Sequence, residues 1–234
     1  MLNGLQGLLA GGTRADAVEL LDSGDLSTGE VEENLADLAR LNRLPGGTST
    51  SVRAIRWLLG GAREASVLDV GTGRGDMPIA FARAGWRTVA VDANPQVLRV
   101  ARRLTARNGG IEVSESDARH LPFPDGSFDV AHCSLVVHHL DADDAVAALR
   151  EMARVSRLGV VVNDLRRGTL PLLATVASTV FFATSRVTRA DGLTSARRAY
   201  TLAELDELLA RAGMDRRWRS VGWMPRVVTA AVRS

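Results

Sequence analysis

Apolar residues recur at helical spacing from about 28 to 43, with Val31, Leu35 and Leu38 in one row behind the capping-box sequence Ser27-Thr28-Gly29-Glu30. Pro45-Gly46-Gly47 breaks that helix, and the pattern predicts a second helix over 48–59. From residue 66 the pattern changes. Short, continuous apolar runs predict strands at 66–70, 86–92, 111–116, 128–135 and 158–163, with amphipathic helices at 76–84, 95–108 and 141–156 between them. Asn94-Pro95 is an N-cap followed by proline at the first helical position. The helix from Asp141 carries acids at its start and arginines at its end, as the helix dipole favours. Strands that do not alternate in polarity are covered on both faces, which implies a parallel sheet between helical layers.

The alternation is interrupted over 165–200. An uncharged, apolar helix at about 170–184 is followed by what reads as an arginine-rich linker. Core packing, a lid over an apolar ligand and a surface that meets lipid all suit this helix. Thr201-Leu202-Ala203-Glu204 opens another helix, Gly213 closes it, and two strands follow at about 215–221 and 226–232.

The chain has 234 residues, which suits one α/β domain with additions. All 29 basic residues are arginine, a uniform usage that by itself argues for no phosphate site. A net charge of +2 is too small for an electrostatic nucleic-acid binder, so no nucleic-acid partner is expected. Cys133 is the single cysteine and lies in an apolar strand, which excludes an intrachain disulfide or a cysteine-rich zinc site. Met1 to Ala10 is apolar but has no basic start, so it is not read as a signal peptide. The 170–184 segment falls short of the ~20 apolar residues that span a bilayer. A cytoplasmic protein is expected; contact with a membrane surface is possible but not expected.

Chemistry concentrates in Val67-Leu68-Asp69-Val70-Gly71-Thr72-Gly73-Arg74-Gly75-Asp76. A strand ends there in a glycine-rich turn, which lets a ligand lie against bare backbone. The next strand ends in Asp92, where a carboxylate is placed to bind ribose hydroxyls. A dinucleotide fingerprint would have glycine at the sixth position of the turn; this chain has Asp76, which would repel a diphosphate and tolerates a ligand carrying an ammonium and a sulfonium.

With Val91-Asp92-Ala93-Asn94, Ser116-Asp117-Ala118, Ser127-Phe128-Asp129-Val130 and Val137-His138-His139-Leu140 following in order, roughly residues 50–165 resemble the class I S-adenosylmethionine-dependent methyltransferases that act on small molecules. The resemblance implies a Rossmann-like, doubly wound, seven-stranded and mostly parallel sheet with an antiparallel last strand pair. An N-terminal helical cap (1–60) would precede the methyltransferase domain (61–234), which would carry a helical cap insertion at about 165–200. It also implies that Gly71 and Gly73 approach the methionine part of S-adenosylmethionine, and that Asp69 positions that loop or accepts from the cofactor ammonium. Asp92 would take the ribose hydroxyls with Ala93 against the adenine. Asp117 would accept from the adenine amino group beside Ala118, and Ser134 and Leu135 would line the cleft near the sulfur.

Methyl transfer from a sulfonium needs alignment and, for a hydroxyl acceptor, removal of a proton. Histidine is the side chain best suited to that near neutral pH. His139, then His138, are the candidate bases, with Asp164 orienting one of them or meeting the acceptor. No metal site is expected: Asn163-Asp164 reverses the order found in metal-dependent catechol methyltransferases, and Cys133-Ser134-Leu135 lacks the aspartate such a site uses. Ser134-Leu135-Val136-Val137 also lacks the Asn/Asp-Pro-Pro-aromatic signature of nucleobase amino methylation. The expected activity is methylation of a small, hydrophobic or aromatic acceptor at oxygen. The alternatives are carbon methylation of a quinone-type ring, cofactor binding without methylation, and a nicotinamide dehydrogenase.

Overall fold

The computed structural model describes residues 14, 15, 17, 19–22, 26–108, 110–221 and 225–234. The apolar stretch Met1 to Ala10 lies outside them. Helices α1 (Thr28–Leu41) and α2 (Thr48–Leu58) precede the sheet. Then come β1 (Ser66–Val70), α3 (Asp76–Arg83), β2 (Arg87–Asp92), α4 (Pro95–Thr105), β3 (Ile111–Glu115), β4 (Phe128–Ser134), α5 (Ala142–Val155) and β5 (Ser156–Leu165). Helices α6 (Thr169–Phe182), α7 (Arg186–Arg198) and α8 (Leu202–Arg211) lead to β6 (Met214–Val221) and β7 (Arg226–Arg233).

The strands form one seven-stranded sheet in the order β3-β2-β1-β4-β5-β7-β6. Neighbours from β3 to β5 are parallel, and β7 runs antiparallel to both β5 and β6. The chain moves outward from β1 in one direction and then returns to place β4 on its other side. That reversal opens a crevice at the carboxyl ends of β1 and β4, where open α/β sheets bind ligands.

Strand periodicity sorts the core into two layers. Leu68, Val70, Ala131, Cys133, Val160 and Val162 meet Leu149 and Met152 of α5 and Leu205 and Leu209 of α8. Val67, Val130, Val161 and Val228 meet Ile55 of α2 and Phe81 of α3 on the opposite face. Both predicted capping boxes are made: Ser27 and Thr201 accept the amides of Glu30 and Glu204, whose carboxylates accept the cap amides in return. Asn94 caps α4 through the amides of Gln96 and Val97.

Two sequence expectations need correction. The arginine-rich linker is a helix, α7, capped by Ser185. Its buried face is Val187, Thr188, Asp191, Gly192, Ser195 and Ala196, small and polar residues that leave no hydrophobic period to read. Strand β5 also begins at Ser156 and runs to Leu165, longer than the apolar run suggested. Among the described residues no helix is long and apolar enough to cross a membrane.

Candidate functional site

A cavity of about 470 Å³ opens at the carboxyl ends of β1, β2 and β4 and is roofed by α1, α6 and α7. Its floor begins with the glycine turn. Gly71, Gly73 and Gly75 all have left-handed backbones, with φ of 68°, 56° and 89°. A Cβ on Gly71 would stand 2.3 Å from Val136, whereas one on Gly73 would meet nothing closer than Leu35 at 3.9 Å. Gly71 thus serves packing and conformation, while Gly73 keeps the floor low beneath the open space.

The second-strand acid braces this turn. Asp92 Oδ2 accepts the Gly73 amide at 3.0 Å and Oδ1 accepts the Asn94 amide at 3.0 Å. Burial nonetheless pushes the Asp92 carboxyl upward, outweighing those two bonds. Hydroxyl donors arriving from a ribose would favour its ionised form. Asp76 lies at the start of α3 on the cavity wall; burial raises its carboxyl too, against the hydrogen bond from Asn42 at 2.7 Å. Asn42 Oδ1 in turn accepts from the buried Arg226 at 2.6 Å, and burial lowers that guanidinium to about 10.

Asp117, Ala118 and Ala93 line the cavity. The Asp117 carboxylate is engaged by Arg119, at 3.0 Å from Nε and 2.7 Å from the terminal nitrogen, which holds it below the usual carboxylate range. Ser134 and Leu135 also line the cavity. Leu135, with φ +59°, is the one left-handed non-glycine residue among those described, and the Asn163 carbonyl accepts its amide at 2.9 Å. Such backbone strain concentrates where a surrounding structure over-determines a ligand site.

Asp69 is not on the cavity wall. His132 Nδ1 donates to its Oδ1 at 2.7 Å, and Ser51 and Asn163 extend the chain. This hydrogen-bonded line ties β1 to β4 and α2. His132 is buried in the middle of β4, between Ala131 and Cys133, and no motif in the sequence marks it.

The histidine pair sits in a 3₁₀ turn, Val137–His139, on the far side of Leu135. His138 Nδ1 donates to Asp164 Oδ1 at 2.5 Å, and the His138 amide donates to Asp164 Oδ2 at 3.2 Å. Burial opposes the charge on Asp164, but His138 outweighs it and holds the carboxyl low. Asp164 thus holds both the backbone amide and the ring of His138. Arg14 holds the His138 and Leu140 carbonyls at 2.7 Å each, and Arg198 holds that of His139. A residue absent from the sequence reading completes the cluster: Glu19 Oε1 lies 3.6 Å from His138 Nε2, and its Oε2 lies 3.7 Å from His139 Nε2.

The cap helix α6 presents a polar side to the cavity. Thr175, Ser178 and Thr179 of α6 face the cavity, while Phe181 and Phe182 are 81% and 49% exposed on the outside. The apolar wall comes instead from Leu38, Leu41, Leu44 and Leu165.

The residues present fit S-adenosylmethionine. Thr72 Oγ1 beside the turn and Ser134 Oγ at the end of β4 belong to cavity-lining residues and are buried without a hydrogen-bond partner among the described residues. Buried polar atoms are normally paired, and these two suit a polar ligand in the cavity.

Residues 67–159 match a family profile described as a methyltransferase domain. A ubiquinone/menaquinone biosynthesis C-methyltransferase of Hahella chejuensis is 35% identical over 118 residues, 47% of each chain. The chain spans less than half the length of the curated relatives it matches. Among solved structures, an S-adenosylmethionine-dependent methyltransferase of Aquifex aeolicus superposes with a TM-score of 0.62 at 17% identity, covering 88% of this chain and 98% of that one. The mitomycin 7-O-methyltransferase MmcR superposes with a TM-score of 0.59 at 24% identity, covering 91% of this chain and 62% of that one. Over the matched segment the chain is thus similar to methyltransferases, and its sheet has the fold of solved S-adenosylmethionine-dependent methyltransferases.

Proposed function

We propose that the chain transfers a methyl group from S-adenosylmethionine to a small, hydrophobic acceptor, most directly at a hydroxyl or phenol oxygen. The observation that supports this reading is the division of one cavity into two ends. Unpaired buried hydroxyls of Thr72 and Ser134 stand at the glycine turn, and the Glu19–His138–His139 cluster stands beyond Leu135. When bound, S-adenosylmethionine supplies an electrophilic methyl on a sulfonium.

The chain's own residues then have separate tasks. Gly71 and Gly73 admit the ligand to the backbone, Asp92 and Asp117 accept from its hydroxyl and amino donors, and Ala93, Ala118, Ser134 and Leu135 shape the pocket around it. Leu38, Leu41 and Leu44 exclude water and favour an apolar acceptor. The histidine cluster stands where the acceptor's proton must leave. Helices α1 and α2 before the sheet, and α6 with α7 between β5 and α8, act as a cap that closes over both ligands.

Carbon methylation of a quinone-type ring is the second reading, favoured by the Hahella chejuensis relative. Incubation with isotopically labelled S-adenosylmethionine and a panel of apolar phenols and hydroquinones separates the two. A labelled O-methyl product supports the first reading and a labelled ring methyl the second. Tight binding of the cofactor with no transfer to any acceptor would leave a binding protein instead.

A further inference from the structure

We propose that Glu19, His138 and His139 form a binding site for a divalent transition-metal ion of the zinc type. Each offers one ligand atom, and these atoms lie within 4.8 Å of one another. The two imidazole–carboxylate separations, 3.6 and 3.7 Å, are too long for hydrogen bonds. They suit two ligands sharing an ion instead. With bonds of roughly 2.0–2.2 Å to nitrogen and oxygen, neighbouring ligands on a tetrahedron stand about 3.4 Å apart.

Three further observations point to a cation. Glu19 is buried, 4% exposed, and its Oε1 has no hydrogen-bond partner among the described residues. A buried carboxylate left this way is costly unless it is paired or coordinates a metal. His138 Nδ1 donates to Asp164 at 2.5 Å, which fixes the tautomer that presents the Nε2 lone pair to Glu19. A carboxylate behind a ligating imidazole is the usual support of such a ligand. The turn itself is held by arginines on three successive carbonyls, so the two rings keep their tilt of 38° at 4.3 Å. Two imidazoles with one carboxylate select a borderline transition ion over calcium or magnesium, which prefer oxygen donors throughout.

All three residues line the cavity, so a fourth coordination position faces its interior. Three protein ligands and an open position are the arrangement of a site that takes substrate rather than of a structural one. Resting on the methyltransferase reading, the ligand class for that position is the hydroxyl or phenol oxygen of the acceptor, whose acidity a bound cation raises.

The test uses the full, tag-free chain after chelator treatment. Calorimetric titration with zinc chloride should show one equivalent bound. Cobalt chloride should give the visible absorption bands of a low-symmetry, nitrogen- and oxygen-ligated ion. Glu19→Gln and His139→Ala should each weaken zinc binding by about tenfold or more, and Asp164→Asn should weaken it through the orientation of His138. S-adenosylhomocysteine affinity and circular dichroism, measured on the same samples, should be unchanged and so report an intact fold and cofactor site. Absence of stoichiometric zinc binding, or binding indifferent to both Glu19→Gln and His139→Ala, would overturn the site while leaving the methyltransferase reading to its own test.

Discussion

His132 Nδ1 donates to Asp69 Oδ1 at 2.7 Å, and the two residues are register partners on the neighbouring strands β1 and β4. Ser51 of α2 and Asn163 of β5 feed the same line: Asn163 Nδ2 donates to Ser51 Oγ, which stands 2.9 Å from His132 Nε2. The acid that opens the glycine motif thus anchors the strand ends on either side of the crevice. Its second oxygen is buried with no hydrogen-bond partner among the described residues.

His132→Ala should therefore destabilise the fold rather than alter chemistry. It strips a buried carboxylate of its donor and removes the ring packed edge-on against Phe81 at 5.0 Å. The expected loss is about 3 kcal/mol, between the cost of an unsatisfied polar group and that of a broken buried pair. Denaturant unfolding measures it; an unchanged midpoint would mean the line carries no stability.

The glycines should separate by role. Gly71→Ala drives a Cβ into Val136 in addition to its left-handed strain, so it should lower both stability and cofactor affinity. Gly73→Ala meets open space and incurs the conformational cost alone, roughly 1–2 kcal/mol. Its loss of cofactor affinity should exceed its loss of stability. Equal losses in the two assays for Gly73→Ala would show that no ligand approaches this backbone.

The cap should respond through its inner face. Phe181→Ala with Phe182→Ala changes side chains that are largely outside the cavity and should leave acceptor KM within about twofold, as surface substitutions usually do. Gly192→Ala is different: its Cβ would stand 2.6 Å from Thr179 and wedge α7 away from α6. It should raise acceptor KM while the S-adenosylhomocysteine dissociation constant holds. The reverse pattern would place these helices over the cofactor instead.

His139→Ala should reduce turnover by about 10²–10⁴-fold with cofactor affinity preserved, since the ring stands at the acceptor end and beyond the glycine turn. Steady-state kinetics on an identified acceptor, beside a cofactor titration, measures both quantities. Turnover near the unmodified value would reduce this end of the cavity to a shaped wall.

Much of this was legible in the sequence because it is local. The glycine turn, Asp92 at its strand end, the capping boxes and the alternation of strands and helices each occupy a few consecutive residues, and each carries its own physical cue. What escaped was pairing over distance. Asp69 finds its partner 63 residues away, in a strand where His132 stands between Ala131 and Cys133 with no motif to mark it. Glu19 sits before a 3₁₀ turn with no periodicity to mark it. Helix α7 buries threonine, serine and glycine, which hides its face from any hydrophobic count.

The central claim is that the crevice between β1 and β4 is a site for S-adenosylmethionine, and Asp92 tests it most directly. Calorimetric titration of the unmodified chain with S-adenosylhomocysteine should give one site, with no detectable binding of NAD. Asp92→Ala removes an acceptor for two ribose hydroxyls and the brace on the Gly73 amide, at roughly 1.5–3 kcal/mol for each charged hydrogen bond. Affinity should fall by more than tenfold. Preference for NAD, or an unchanged dissociation constant in Asp92→Ala, would contradict the account.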